Sequence, residues 1–242
     1  MTGQSTDRTL FAWLLLASLL GLSLGVPFRS AFLGDSDPQR IWLWAGMEFL
    51  FLLAPASAVG VWLGRKVDLG PRLMREFVLQ TPGRLKRAFS ILIPSTAIGL
   101  VFGIPLSLGP GSAYLGPGIA KPTAVEFFLG ALSAGLTEEI LFRLGLMTFF
   151  VWILRSIVNR PTFAGPSVSI GNIMAALVFA GAHLPHVVMS GTAPWDLVMG
   201  VVLFNGFAGI AMGWLYTRYG LISAILAHFL GDVVGYAIPS MI

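Results

Sequence analysis

The stretch Thr137-Glu138-Glu139-Ile140-Leu141-Phe142-Arg143 carries three charged side chains inside an apolar run that extends from about residue 124 to residue 153. Such a run predicts a membrane-spanning helix and places the charges well inside the bilayer. An ionisable side chain at that depth costs ~2.5 to 3.5 kcal/mol on insertion scales, so it marks a functional site by default. Three of them within six positions indicate that this helix carries the chemistry of the protein.

Helical spacing predicts different roles for the two glutamates. Glu139 and Arg143 are four residues apart, so they share one face of the helix and can form an ion pair. Glu138 is rotated by about 100° from Glu139, which leaves its carboxylate free for chemistry. In the alternative interpretation, the three charges only hold neighbouring helices together and have no catalytic role.

Composition defines the class of protein. Of 242 residues, 56% are hydrophobic and 11% are charged, whereas soluble domains carry roughly 25% charged residues. The sequence therefore predicts an all-α polytopic membrane protein that forms one integral membrane domain. The chain has no cysteine, which excludes disulfides, thiolate metal sites and a cysteine nucleophile. The net charge of +4 follows from the loops at the membrane surface, and we expect no nucleic-acid partner.

Seven apolar runs predict seven transmembrane helices. The runs cover residues 10–26, 41–64, 88–108, 124–155, about 170–189, 197–216 and 221 to about 238. The first run favours a retained helix, with a cleaved signal peptide as the alternative. Residues 1–123 hold helices one to three, and residues 124–242 hold helices four to seven, which we expect to form the catalytic core.

A basic loop over residues 65–87 predicts the orientation in the membrane. It carries seven Lys and Arg residues against two acidic ones, and such loops stay on the cytoplasmic side. Alternation from this loop predicts a cytoplasmic N-terminus and an external C-terminus. The expected location is a cytoplasmic membrane of bacterial type.

Two histidines and an aspartate in other spans complete the set of candidate residues. His183 lies in the fifth predicted span, and His228 and Asp232 lie four residues apart in the seventh. Asp232 can therefore fix the tautomer of His228 or line the same pocket. A packing or interfacial role is expected for His186, which follows Pro185. Glu48 and Glu126 are expected to be pore-lining or interfacial groups.

A carboxylate and imidazoles that meet in a partly dry pocket are typical of general-base activation of water. Other hydrolase chemistries fit the sequence less well. His183-Leu184-Pro185-His186 has the wrong spacing for a His-Glu-x-x-His zinc motif, and Asp232 has no second intramembrane aspartate as a partner. There is also no Gly-x-Ser-x-Gly elbow for a serine nucleophile.

The chain resembles the CAAX prenyl protease type II and bacteriocin-processing family, also called CPBP or Abi. The resemblance rests on three motifs in order, Glu138-Glu139-x-x-x-Arg143, Phe179-x-x-x-His183 and His228-x-x-x-Asp232. Residues 209–220, which lead into the last motif, are also similar to that family. The similarity covers residues from about 124 to 236.

The resemblance implies an intramembrane endopeptidase that acts on a membrane-associated substrate, such as a lipidated or leader-bearing protein. Carried onto this chain, it implies that Glu138 and His183 activate water. His228 and Asp232 would stabilise the oxyanion, while Glu139 and Arg143 would hold the site together. Asparagine is frequent where this chain has Asp232, and an ionised carboxylate there would repel an oxyanion. Asp232 would therefore be protonated, orient His228 or ligate a metal.

Two choices stay open at the level of sequence. The family is described both as metalloproteases and as metal-free glutamate proteases; with a metal, zinc would be held by Glu138, His183, His228 and Asp232. The alternative to a protease is a non-proteolytic membrane scaffold of the same family, such as a bacteriocin-immunity or partner-binding protein. Convergence of Glu138, His183 and His228 around a water-sized space would favour the protease.

Overall fold

The computed structural model describes residues 3–34, 37–108, 122–185 and 194–241. Across these ranges the regular structure is helical and no β-strand occurs. Seven helical segments there are long and apolar enough to cross a membrane. We number them span 1 to span 7 in chain order: Gly3–Phe32, Pro38–Val67, Arg84–Leu108, Ala124–Val158, Pro161–Ala182, Trp195–Tyr219 and Leu221–Met241. The predicted all-α polytopic fold is confirmed.

Several spans combine α-helix with π-helical or 3-10 turns. Span 2 contains Pro38–Glu48 (α), Phe49–Leu53 (π), Ala54–Ala58 (α), Val59–Leu63 (π) and Gly64–Val67 (3-10). Span 3 contains the α-helices Arg84–Ser90 and Leu92–Leu108, and span 5 contains Pro161–Phe163 (3-10) and Ala164–Ala182 (α). Span 7 contains Leu221–Asp232 (α), Val233–Ala237 (π) and Pro239–Met241 (3-10). Spans 1 and 6 are continuous α-helices, and a short α-helix, Arg72–Val78, lies between spans 2 and 3.

Span 5 differs from its predicted bounds. It begins at Pro161, about nine residues before the predicted start at residue 170. Proline is tolerated in the first turn of a helix, where its missing N–H has no intrahelical partner in any case. The helix therefore starts in a segment whose proline, glycine and serine residues look like a loop. Its α-helix ends at Ala182, and the predicted extension to residue 189 reaches beyond the described residues.

Span 4 positions the two glutamates at a change of helix type. An α-helix covers Ala124–Glu139, a π-helical segment covers Ile140–Met147, and α-helix resumes over Thr148–Val158. π-Helical segments inside α-helices are frequent at functional sites. The start of the span is capped by Thr123 and Glu126, which form a reciprocal capping box. Glu126 is thus a helix cap, which is more specific than the interfacial role expected from sequence.

Small residues let the spans approach closely. Span 1 crosses span 4 at Gly21, where an added Cβ would lie 2.9 Å from Cγ2 of Thr137. Span 3 crosses span 7 at Gly103, where a Cβ would lie 2.8 Å from the carbonyl oxygen of Gly231. Close backbone approach of this kind is how helices associate where lipid supplies no hydrophobic driving force. The N-terminal spans therefore pack directly against the spans that carry the motifs.

Polar contacts join several chain segments at one end of the bundle, which we call the basic end. Asp7, near the start of span 1, pairs with Arg65 and Arg75. Arg155, near the end of span 4, donates from Nη1 to the carbonyl oxygen of Val67 at 3.1 Å. Tyr216, near the end of span 6, accepts from the Gly70 N–H at 2.8 Å. The segments predicted to be cytoplasmic thus share one end of the molecule.

The orientation predicts a simple labelling result. The cysteine-free chain allows single cysteines at exposed positions, and Gln80→Cys in the basic loop should react only from the cytoplasmic side. Trp195→Cys, at the opposite end, should react only from outside. A membrane-impermeant maleimide applied to intact cells and to inverted vesicles measures both. Labelling of Gln80→Cys in intact cells would show that the predicted orientation is wrong.

Candidate active site

The carboxylate of Glu138 faces two histidines from different spans. Its Oε2 lies 4.0 Å from Nε2 of His183 and 3.9 Å from Nε2 of His228. These distances exceed a direct hydrogen bond, and they match two polar atoms bridged by one water that makes bonds of about 2.8 Å to each. The three candidate residues therefore converge at separations that a single bridging water spans.

His183 follows the α-helix of span 5 directly, as its C-cap residue. Its Nδ1 lies 2.8 Å from the carbonyl oxygen of Phe179. A carbonyl oxygen can only accept, so Nδ1 carries the proton and donates it in this contact. In the neutral ring, Nε2 is then a hydrogen-bond acceptor, and it is the atom that faces Glu138.

His228 is held by the second glutamate. Its Nδ1 donates to Oε1 of Glu139 at 2.8 Å, and the side chain of Glu139 is fully buried. The sequence predicts that Asp232 either fixes this tautomer or lines the same pocket. Asp232 faces the other ring nitrogen, with its Oδ2 3.6 Å from Nε2, and it lines the cavity. Span 7 passes close to span 4 at Gly135, where a Cβ would lie 3.1 Å from the carbonyl oxygen of Ile225. This close crossing brings His228 within reach of Glu139.

Glu139 also forms the predicted ion pair with Arg143. Nε of Arg143 lies 3.2 Å from Oε2 of Glu139, and neither side chain is exposed. The guanidinium carbon lies 4.8 Å from the ring centroid of Phe179, at a distance typical of a cation–π contact. Glu139 is therefore shared between Arg143 and His228, while Glu138 is turned toward the histidines.

Phe179 connects the parts of the site. Its ring centroid lies 4.6 Å from that of His183 and 5.9 Å from that of His228, in an edge-to-face arrangement with the latter. Phe179 also accepts the Nδ1–H of His183 and covers Arg143. The sequence indicated this residue only as a motif position, without a structural role. Its position four residues before His183 places it on the same helical face, and this spacing could have indicated a contact with the histidine.

The four candidate residues line one cavity with a volume of about 490 Å³. Glu138, His183, His228 and Asp232 form its polar part, and residues from all seven spans contribute to its walls. Much of the remaining wall is aromatic: Phe28, Phe32, Phe102, Phe127, Phe179, Phe204 and Tyr236. A small set of polar groups in an apolar cavity is the usual composition of a site for a small ligand or a peptide segment.

The spacing of the polar groups differs from that of a zinc site. Zinc binds nitrogen and oxygen ligands at about 2.0 to 2.2 Å, so neighbouring ligand atoms in a tetrahedron lie about 3.4 Å apart. Oε2 of Glu138 lies 3.9 and 4.0 Å from the histidine nitrogens, which is wider. Across the described residues, no group of three or more His, Asp or Glu side chains is arranged to hold an ion. As placed, the residues are spaced more widely than the ligands of a bound zinc ion.

Glu48 and Arg29 are further members of the cavity wall. Nη1 of Arg29, in span 1, lies 2.6 Å from Oε2 of Glu48, in span 2. The sequence suggested a pore-lining role for Glu48 without naming a partner, and it drew no attention to Arg29. His186 lies outside the described residues.

The fold is that of an integral multi-pass membrane protein, and its helix bundle holds a candidate site of Glu138, His183, His228 and Asp232. Residues 120–234 match the family of type II CAAX prenyl endopeptidases described as Rce1-like. This match supports the assignment of the chain to that family of CAAX-type membrane proteases, and the resemblance inferred from the three motifs is confirmed. Searches of curated proteins and of solved structures found no match.

Proposed function

We propose that this protein is an intramembrane endopeptidase that hydrolyses a peptide bond of a membrane-associated substrate with a water molecule activated by Glu138 and His183. One observation carries the proposal: Oε2 of Glu138 faces Nε2 of both histidines at 3.9 to 4.0 Å inside a single cavity. Membership of residues 120–234 in the CAAX endopeptidase family supports the same reaction class.

The hydrogen-bond partners suggest how the water is activated. The carboxylate of Glu138 and Nε2 of neutral His183 are both acceptors, so a water between them donates one hydrogen to each. Its lone pair is then free to attack the carbonyl carbon of the peptide bond. The water oxygen bonds to that carbon as a proton passes to Glu138. When the carbon–nitrogen bond breaks, this proton passes to the departing amine.

The oxyanion formed by this attack needs a hydrogen-bond donor. His228 can supply one from Nε2 when its ring carries two protons, because Nδ1 already donates to Glu139. Glu139 and Asp232 together then balance the positive charges of His228 and Arg143. Asp232 lies one helical turn after His228, and its Oδ2 is 3.6 Å from Nε2 of His228. We expect it to orient the imidazole ring. In this mechanism Glu139 and Asp232 act through His228, and Glu138 and His183 act on water.

The cavity suggests the side from which the substrate enters. Its lining includes Phe32 at the end of span 1, Leu106 near the end of span 3 and Phe127 near the start of span 4. All three positions lie at the end of the bundle opposite the basic end. If the basic loop is cytoplasmic, the cleaved bond reaches the site from the external half of the membrane.

Comparison of peptide termini tests the proposal even when the substrate is unidentified. Membranes that contain the wild-type protein should show protein ends that are absent from membranes with Glu138→Ala, because this change removes the proton acceptor. Asp196→Asn is a matched control, since it removes an exposed carboxylate outside the cavity lining. It should give the wild-type pattern.

The alternative, a non-proteolytic scaffold, makes the opposite prediction. The termini in wild-type and Glu138→Ala membranes would then be the same at equal protein levels. That result would contradict the proposed activity.

A further inference from the structure

A separate apolar groove lies at the basic end, between the short helix Arg72–Val78 and spans 1, 3 and 7. Its volume is about 330 Å³. Its walls include Trp13 of span 1, Phe77 of the short helix, Ile91 of span 3 and Leu226 of span 7. Every residue that lines the groove is apolar, and none of them lines the cavity of the candidate active site. The groove is therefore a second concave site.

The groove is open at the surface of the bundle, because Trp13 and Phe77 in its walls are exposed. Leu85 and Phe89, in the first helix of span 3, are exposed as well. In a segment rich in Lys and Arg, exposed apolar side chains are typical of a position between the headgroups and the acyl chains of a membrane. A lipid acyl chain is therefore the apolar group that is available to fill the groove.

Arg84 lies at the rim of this groove. Its guanidinium carbon is 5.9 Å from the ring centroid of Phe77, at a distance typical of a cation–π contact. Ala88, one helical turn after Arg84, also lines the groove, so both residues share one face of their helix. Nη1 of Arg84 donates to the carbonyl oxygen of Thr81 at 3.4 Å. A guanidinium has five N–H donors, so others remain for a ligand.

The other arginines of the basic loop are each paired with a carboxylate. The pairs are Arg65 and Arg75 with Asp7, Arg72 with Asp68, and Arg87 with Glu76. In the part of the chain that the structure describes, no carboxylate pairs with Arg84. The rim of the groove therefore carries a positive charge that an anionic ligand can neutralise.

We propose that this groove binds an anionic phospholipid, with the headgroup phosphate at Arg84 and one acyl chain in the groove. The planar fork of an arginine matches the oxygens of a phosphate. The basic loop is expected to be cytoplasmic, and basic pockets between spans on that side of a membrane bind anionic headgroups. The site lies outside the candidate active site, and the inference does not depend on proteolysis.

A binding measurement with two defined lipids tests the inference. Delipidated protein in detergent is mixed with equal amounts of phosphatidylglycerol and phosphatidylcholine that carry the same acyl chains. Native mass spectrometry then gives the ratio of the two lipids in the complex with one bound lipid. One Lys or Arg near the headgroups favours an anionic lipid by about fivefold, so the ratio should be at least about five. Equal binding of the two lipids would overturn the inference.

Substitutions at the rim test the headgroup contact. Arg84→Gln should remove the preference, because the amide has no charge to pair with the phosphate, and Arg84→Lys should keep most of it. Lys86→Gln is the matched control. It removes the same charge from an exposed residue of the same helix, rotated by about 200° from Ala88. Lys86→Gln should keep the preference; an equal loss in Lys86→Gln and Arg84→Gln would indicate general surface attraction and contradict a site at Arg84.

Substitutions in the groove test the acyl-chain contact. Ala88→Phe fills the groove and keeps Arg84, so it should weaken phosphatidylglycerol binding at least about tenfold, since each buried methylene contributes about fourfold. Ile93→Phe, at an exposed position of span 3 outside the groove lining, should bind like the wild type. An excess of glycerophosphoglycerol, the headgroup without acyl chains, should not displace the lipid. Displacement would show a phosphate site without an acyl-chain groove and overturn the inference.

Hydrogen exchange locates the site in the wild-type protein, without any substitution that could impair folding. The protein is placed in nanodiscs of phosphatidylcholine with or without phosphatidylglycerol, and amide exchange is measured by mass spectrometry. Exchange over residues 72–90, which include the short helix and the start of span 3, should be slower with phosphatidylglycerol. Identical exchange over these residues in the two membranes would contradict the placement of the lipid.

Discussion

Glu138→Gln is expected to abolish turnover of a reporter peptide, while the protein inserts and purifies like the wild type. The amide is nearly isosteric with the carboxylate but cannot take the proton of the attacking water. Loss of a general base typically costs ~10² to 10⁴ in rate, so turnover per folded molecule should fall at least about a hundredfold. Glu138 forms no ion pair with Arg143 at close range, because Glu139 does, and about a third of its side chain, 31%, is exposed to the cavity. Folding should therefore tolerate the change.

Two controls accompany this measurement. Glu126→Gln changes a glutamate in the same span that serves as a helix cap, and it should keep most of the turnover. Wild-type protein treated with a chelator should also keep its turnover if water is activated by Glu138 and His183 alone. Full turnover by Glu138→Gln would disprove its role as the base. If the purified protein contained stoichiometric zinc, and if the chelator removed the zinc and the activity together, the mechanism would be metal-dependent.

Glu139→Gln is expected to act mainly on folding. The guanidinium of Arg143 is fully buried beside this carboxylate, and an unpaired buried charge destabilises by about 3 to 5 kcal/mol. The yield of monodisperse protein in detergent should therefore drop sharply. The amide oxygen of Gln can still accept the Nδ1–H of His228, so the histidine keeps a hydrogen-bond partner, although that partner carries no charge.

A double-mutant cycle with Arg143→Met measures the coupling between the two residues. Glu139→Gln combined with Arg143→Met leaves no unpaired charge, so it should recover part of the yield lost by the single change. Turnover per folded molecule should stay below wild type in both variants, because His228 lacks the negative charge of Glu139. Wild-type yield of Glu139→Gln together with complete loss of turnover would instead place Glu139 among the residues that act directly on the substrate.

The membrane spans and the motif positions could be predicted from the sequence because both depend on local properties. A helix satisfies its own backbone hydrogen bonds, so a long apolar run in lipid forms a helix. Most predicted spans agree with the structure within a few residues at both ends; the first extends further, to Gly3 and Phe32, and the fifth begins earlier, at Pro161. The pairing of Glu139 with Arg143 could also be predicted, because residues four apart on one helix are neighbours in any tertiary context.

The contacts between spans depend on tertiary structure. Glu139 rather than Asp232 binds Nδ1 of His228, because the close crossing of spans 4 and 7 at Gly135 sets which side of the ring each carboxylate meets. The pairing of Arg29 with Glu48 joins two helices, and no helical spacing encodes it. Helix rotation and crossing position decide such contacts, and both result from packing of all seven spans at once. Hydrophobicity along the chain therefore predicts which segments enter the membrane, and packing decides which of their charges meet.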